Sequence, residues 1–136
     1  MDRICSIPVL SRIIQDDPVR PHICSEKRLG PGREVYHLDN KAYICLAYMN
    51  GVPIDEVSLL TCICGPIAVA YTVWSTKKGK GRELIFETQK MIKDTGRFKR
   101  LVTLSPKTEM AMRFHLSNGA KLISENQSSN NFEYEI

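Results

Sequence analysis

The segment Val73-Trp74-Ser75-Thr76-Lys77-Lys78-Gly79-Lys80-Gly81-Arg82-Glu83-Leu84-Ile85 constrains this chain more than any other. An apolar strand enters a short basic loop with two glycines, and the loop passes straight into an amphipathic helix. Glycines let backbone N–H groups turn inward, a helix N-terminus adds positive partial charge, and lysines add full charges. That order of parts builds an anion site of the kind that grips a pyrophosphate. Lysines at a helix N-terminus oppose the macrodipole unless an anion lies between them, so a merely solvated face accounts poorly for Lys77, Lys78, Lys80 and Arg82. The later group Lys90, Lys93, Arg97, Lys99 and Arg100 follows the helix and reads as cations near its C-terminus.

At 136 residues the chain has room for one domain, residues 1–136, with residues 1–34 its least defined part. A hydrophobic fraction of 43% and a charged fraction of 25% are those of a soluble globular protein. No apolar run is long enough to span a membrane, and the N-terminus lacks the apolar core and cleavage site of a secretory signal. The five cysteines, Cys5, Cys24, Cys45, Cys62 and Cys64, mostly sit in apolar, strand-like context. That suits buried reduced thiols and a cytoplasmic location. His22-x-Cys24 and Cys62-x-Cys64 are spaced more tightly than zinc ligands usually are, so no metal site is expected.

Along the chain, Val9 to Gln15 reads as a short helix, ended by Asp17-Pro18 and Arg20-Pro21. Val35 to Leu38 and Lys41 to Met49 read as one interrupted strand or two short ones. Asn50-Gly51 signals a hairpin whose partner strand is Val52 to Thr61, irregular at Pro53 and Asp55-Glu56. A β-rich run from Cys62 to Trp74 leads to the glycine loop. Arg82 to Thr95 is an amphipathic helix, with Leu84, Thr88, Met91, Ile92 and Thr95 on one stripe and Gly96 as its stop. Leu101 to Leu104 is a short buried strand. Ser105-Pro106 reads as an N-cap followed by a proline at the first helical position, so a second helix runs to Ser117. Ala120 to Glu125 and Phe132 to Ile136 are strands. The order β-β-β-α-β-α-β-β predicts an α/β chain with a mixed sheet.

Two separated motifs, covering roughly Val69 to Ala120, resemble the GCN5-related N-acetyltransferase (GNAT) family. The first is the glycine loop, Thr76-Lys77-Lys78-Gly79-Lys80-Gly81, with Thr76 or, in a shifted alignment, Lys78 at the family's Gln/Arg position. The second is Thr108-Glu109-Met110-Ala111-Met112-Arg113-Phe114-His115-Leu116-Ser117-Asn118-Gly119-Ala120, which matches the family's pattern at Ala111, Phe114 and Gly119. The resemblance implies a single-domain GNAT-like fold, a twisted, mixed and mostly antiparallel sheet flanked by helices. It implies acetyl-coenzyme A as cofactor, with the amides from Lys78 through Gly79, Lys80 and Gly81 to Arg82 facing the pyrophosphate. The strand carrying Val69, Tyr71 and Val73 would pair with the pantetheine arm. Thr108 stands where the family has an asparagine that often touches the cofactor, Ala111 lies in the same motif, and Ala120 replaces an aromatic.

The implied activity is acetyl transfer from acetyl-CoA to an amine, small molecule or protein, by direct attack. His115 replaces a tyrosine that often protonates the leaving thiolate, and is the candidate acid beside a reading as a plain helical residue. Glu56 is the candidate base, with Asp55, Glu133 and Glu135 as further carboxylates, while Tyr71 and Trp74 shape the pocket. The departures at Thr108, His115 and Ala120 leave open a GNAT-fold protein that binds CoA or a host protein with little catalysis. Asp16 to Ile23 also resembles small proteins encoded by marine bacteriophages, for which the host cytoplasm would be the location. Neither aromatic platforms nor a helix-turn-helix favours nucleic acid as a partner, nothing favours a membrane, and the C-terminal strands could pair in a homodimer.

Overall fold

The computed structural model describes residues 4–6, 17–23, 25–61 and 64–136. The expected helix from Val9 to Gln15 and the thiols Cys24 and Cys62 lie outside them. The centre is an eight-stranded sheet in the order β1 (Ile4–Ser6), β2 (Arg33–Leu38), β3 (Ala42–Met49), β4 (Ile67–Ser75), β5 (Arg100–Thr103), β8 (Ser129–Tyr134) and β6 (Ser105–Pro106). The strand β7 (Lys121–Glu125) pairs with β8. Among the described residues four helices accompany it: α1 (Ser25–Leu29), α2 (Glu56–Leu60), α3 (Lys80–Thr95) and α4 (Glu109–Ser117). Among the described pairings β4 with β5 is parallel and the others are antiparallel, which is the mixed, mostly antiparallel sheet the sequence predicts.

Burial on both faces explains the continuous apolar run of β3. Ile44 and Leu46 pack with Leu84, Ile85 and Ile92 of α3 on one face. Tyr43, Cys45 and Ala47 pack with Leu59, Val69 and Trp74 on the other. A strand covered on both sides does not alternate in polarity. The strand β4 carries one irregularity. Leu46 pairs with Ala70 and Cys45 with Thr72, so Tyr71 is an extra residue, a β-bulge. The bulge reverses the alternation: Val69 and Tyr71 share a face with Trp74, whereas Val73 packs on the opposite side with Ala70.

Two local expectations are corrected. The hairpin turns at Asp39-Asn40, both at φ 54°, with Lys41 N–H bonded to Leu38 O at 2.9 Å, and not at Asn50-Gly51. Val52 to Thr61 is not a strand. Asp55 accepts from Ser58 N–H at 2.8 Å while Ser58 Oγ serves the Asp55 N–H, and this capping box starts α2. Asn131 Nδ2 donates to Pro53 O and Ser129 Oγ to Ile54 O, which fixes the incoming loop against β8. The second helix likewise starts later than Pro106. The Ser105 hydroxyl is engaged with Thr103 Oγ1 at 2.7 Å, and its backbone pairs with Asn130 as β6. Thr108 takes over as N-cap, accepting from Ala111 N–H at 3.1 Å. Replacing Asp55 with alanine should therefore cost about 1 kcal/mol in urea unfolding; an unchanged midpoint would contradict the capping box.

Candidate active site at the divergence of β4 and β5

The strands β4 and β5 pair only from Ile67 with Arg100 to Ala70 with Thr103. The last ladder bond runs from Leu104 N–H to Ala70 O at 3.0 Å. Beyond it β4 continues to Ser75, while the other chain moves away as β6 to pair with β8. The gap is a cavity of about 360 Å³. One wall is the free edge of β4 from Tyr71 to Ser75, the other is α4 with Ala111, Phe114 and His115, and Pro18 and Val19 close one end. Thr72 Oγ1 is buried and has no hydrogen-bond partner among the described residues, although Thr72 lines the cavity. An unpaired buried hydroxyl is costly unless a ligand atom completes it.

The cavity reaches Gly81, in the first turn of α3. The two loop glycines serve different ends. Gly79, the N-cap, sits at φ 85°, a conformation that side chains disfavour, and it places no capping group over the helix end. Gly81 is buried, and a Cβ there would stand 3.3 Å from Phe114 Cε1, so its missing side chain lets α4 close on α3. Lys80 N–H donates to Lys77 O at 3.2 Å, and with no side-chain cap the N–H groups that follow it in the first turn are the ones that suit an incoming anion. Lys77, Lys78 and Arg82 are exposed around this turn. Lys80 is held by Asp39 at 3.0 Å and Glu83 at 3.2 Å, which raises its pKa.

The structure thus gathers Tyr71, Val73, Gly81, Thr108 and Ala111 on the cavity, and Lys78, Gly79, Lys80 and Arg82 around the helix start next to it. Val69 stands apart. It is fully buried and pairs with both Ala47 and Val102, below the point where the strands part. His115 faces the cavity with 6% exposure, stacked on Phe132 and with Nδ1 2.7 Å from the Tyr134 hydroxyl. Burial pushes its pKa down to about 4, so near neutral pH it is an uncharged imidazole. It can hydrogen-bond a sulfur there but holds no imidazolium proton to give.

Glu56 does not line the cavity. It accepts from Arg20 Nη1 at 2.6 Å and from His22 Nε2 at 2.7 Å. Burial pushes its pKa up, but these hydrogen bonds and the two partners' charges outweigh it and hold the carboxylate below its ordinary value. A carboxylate so held is a weak base. Asp55 is spent on the cap, and Glu133 forms a two-point pair with Arg100 at 2.7 and 2.9 Å. Residues the sequence reading did not place lie directly behind the site. Arg28, fully buried, donates to Asp17 Oδ2 at 2.9 Å and to Arg20 O at 2.6 Å; Asp17 Oδ1 in turn accepts from the Val19 and Arg20 N–H groups. The proline-flanked Asp17-Pro18-Val19-Arg20-Pro21 was the visible signal, since such a turn needs an Asp to accept its free amides. Of the zinc-like pairs, Cys24 and Cys62 lie outside the described residues; Cys64 is exposed, and no group of three or more His, Cys, Asp or Glu converges among the described residues.

Solved structures share this fold. An acetyltransferase from Bacillus subtilis in complex with CoA superposes with a TM-score of 0.70 at 11% identity, covering 100% of this chain and 99% of that one. Arabidopsis thaliana NAA60 in complex with acetyl-CoA matches at 0.65 and 13% identity, over 96% and 97%. The chain has the GNAT acetyltransferase fold. Malonyl-CoA decarboxylase from Agrobacterium vitis matches at 0.78 and 15% identity over 98% of this chain, which spans only 60% of that protein, and 54% of the one from Cupriavidus metallidurans. No family model and no curated protein matches the sequence. Within the GNAT fold, the β4 bulge and the cavity are where the chain departs from a continuous sheet.

The buried imidazole yields a pH test. Its pKa is about 4 folded against 6.5 unfolded, so below pH 6.5 the unfolded chain takes up a proton that the folded chain refuses. Stability from this group is intact above pH 6.5 and declines toward pH 4, by roughly 3 kcal/mol in full. Urea unfolding of wild type and His115→Gln should converge or cross over that window by this amount; parallel curves from pH 7 to 4 would contradict a buried neutral His115.

Proposed function

We propose that the chain is a coenzyme A-dependent N-acetyltransferase that binds acetyl-CoA in the β4–β5 cleft and passes the acetyl group to an amine. The observation that carries this is continuity. The β4 edge past its pairing with β5, a buried hydroxyl at Thr72 that has no partner among the described residues and a glycine-opened helix start without a side-chain cap lie along one cavity. A pantetheine arm has amide groups that can add to a strand edge as a peptide does, and a pyrophosphate suits the helix start. The two ends of the site thus fit two chemically different parts of one ligand. Acetyl-CoA supplies an activated thioester. The chain's own part is orientation: the β4 edge aligns the arm, Phe114 and Ala111 exclude water, and His115, its Nδ1 taken by Tyr134, offers neutral Nε2 as a hydrogen-bonding group near the cavity.

A second reading keeps the ligand and drops turnover. It is favoured by the state of the two candidate proton-transfer groups, since His115 is neutral and Glu56 is tied to Arg20 and His22. Under that reading the chain holds CoA, or a protein partner beside it, without acetylating.

Calorimetry with CoA separates both from an unrelated use of the fold. Binding is expected, weakened at least tenfold in Lys78→Glu/Arg82→Glu, whose exposed side chains leave the core alone. No heat at millimolar CoA would overturn the proposal. Release of free thiol from acetyl-CoA in the presence of an amine panel then decides between transferase and binder.

A further inference from the structure

The cleft requires two strands to part inside a buried sheet, and parting leaves backbone carbonyls without ladder partners. Two such carbonyls stand at the apex: Tyr71 O on the bulge of β4 and Leu104 O just past β5. Both are taken by one side chain. Arg20 Nε donates to Tyr71 O at 2.8 Å, and Arg20 Nη2 donates to Leu104 O at 2.8 Å. Arg20 is only 7% exposed, and the third nitrogen of its guanidinium, Nη1, reaches Glu56 at 2.6 Å. A planar fork with donors at fixed separation cannot follow two strands that close up or swing wide.

The fork is itself anchored. Asp17 Oδ1 holds the Arg20 N–H at 3.1 Å, and Arg28 holds the Arg20 carbonyl at 2.6 Å. The same turn supplies Pro18 and Val19 to the end of the cavity. Burying a cation here is tolerable because Glu56 compensates it and every nitrogen has an acceptor.

We infer that Arg20 is a positioning residue that sets the width of the cleft, its guanidinium standing between Tyr71 O and Leu104 O as a spacer. Glu56, in this arrangement, acts on Arg20 rather than on an acceptor amine. The consequence for ligand affinity rests on the proposed coenzyme A site; the consequence for strand geometry does not.

The test compares wild type with Arg20→Met and Arg20→Lys, each with and without 10 mM methylguanidinium, by amide hydrogen exchange and by CoA calorimetry. In Arg20→Met, protection of the Leu104 amide should fall about tenfold, while amides of β2 and β3 keep theirs. Methylguanidinium should restore it, and Arg20→Lys, with a single donor site, should restore only part. CoA affinity should fall at least tenfold in Arg20→Met and return with methylguanidinium. Unchanged Leu104 protection in a folded Arg20→Met overturns the inference, and so does a loss spread evenly over the sheet with no rescue, which marks a merely structural arginine. Should Arg20→Met not fold, Arg20→Lys and the wild-type Arg20 Nε–H decide: a proton that exchanges as fast as those of exposed arginines contradicts the spacer. If wild type binds no CoA, the proposed function fails while the exchange data still judge Arg20.

Discussion

The bond from Leu104 N–H to Ala70 O is the last that β4 and β5 share, and the use of this fold depends on what happens to the backbone past it. Parallel strands buried on both faces are stable only while their polar groups are paired. Here the pairing stops after four residues because β4 inserts Tyr71 as a bulge and β5 is diverted to β8. The diversion is itself held by side chains: Asn131 Nδ2 donates to Thr103 O at 2.8 Å, and Thr103 Oγ1 accepts from Phe132 N–H at 3.1 Å. On the other side, the turn at residues 17–20 fills the apex. The cavity is a defect in a sheet, kept open by a closed set of hydrogen bonds.

That defect connects two environments. Toward α3 lies a helix start with exposed lysines, and toward residues 18 and 19 lies an apolar end of the same cavity. Charge at one end and apolar walls at the other suit a long ligand with an anionic tail and a less polar arm. The lysine nearest the core, Lys80, is bound by Asp39 and Glu83, so the field at the helix start comes from backbone dipoles and the outer cations. Under the proposed function, the candidate proton-transfer groups are less developed than the candidate binding groups. Burial keeps His115, the candidate acid, neutral, and its Nδ1 lies against the buried Tyr134 hydroxyl.

How much of this was legible follows from the range of the interactions. The helix is legible as Arg82 to Thr95 with its Gly96 stop, because periodicity and capping are local, although it starts two residues earlier, at Lys80 behind Gly79. The mixed sheet followed from element order. Val52 to Thr61 reads as a strand only as the partner of an Asn50-Gly51 hairpin, whereas the Asp55–Ser58 capping box, also local, makes its second half a helix. The turn at Asp39-Asn40 lost to the stronger dipeptide Asn50-Gly51, because turn statistics do not say which turn the flanking strands will use. Gly81 reads as a loop glycine for phosphate approach; that a Cβ there would meet Phe114, thirty-three positions along the chain, is set by tertiary packing and not visible in the sequence. Arg20 and Arg28 were illegible as site residues. Their partners, Tyr71 O, Leu104 O and Asp17, are set by tertiary structure, and a backbone carbonyl leaves no mark in a sequence.

The central claim is that the parting of β4 and β5 makes a place for coenzyme A. Amide chemical-shift mapping on CoA titration tests it most directly. Saturable shifts should concentrate at residues 71–75, at residues 78–82 and at residues 108–115, with little change in β2 and β7. Shifts confined to the surface around Lys121 and Glu133, or none at millimolar CoA, would contradict it.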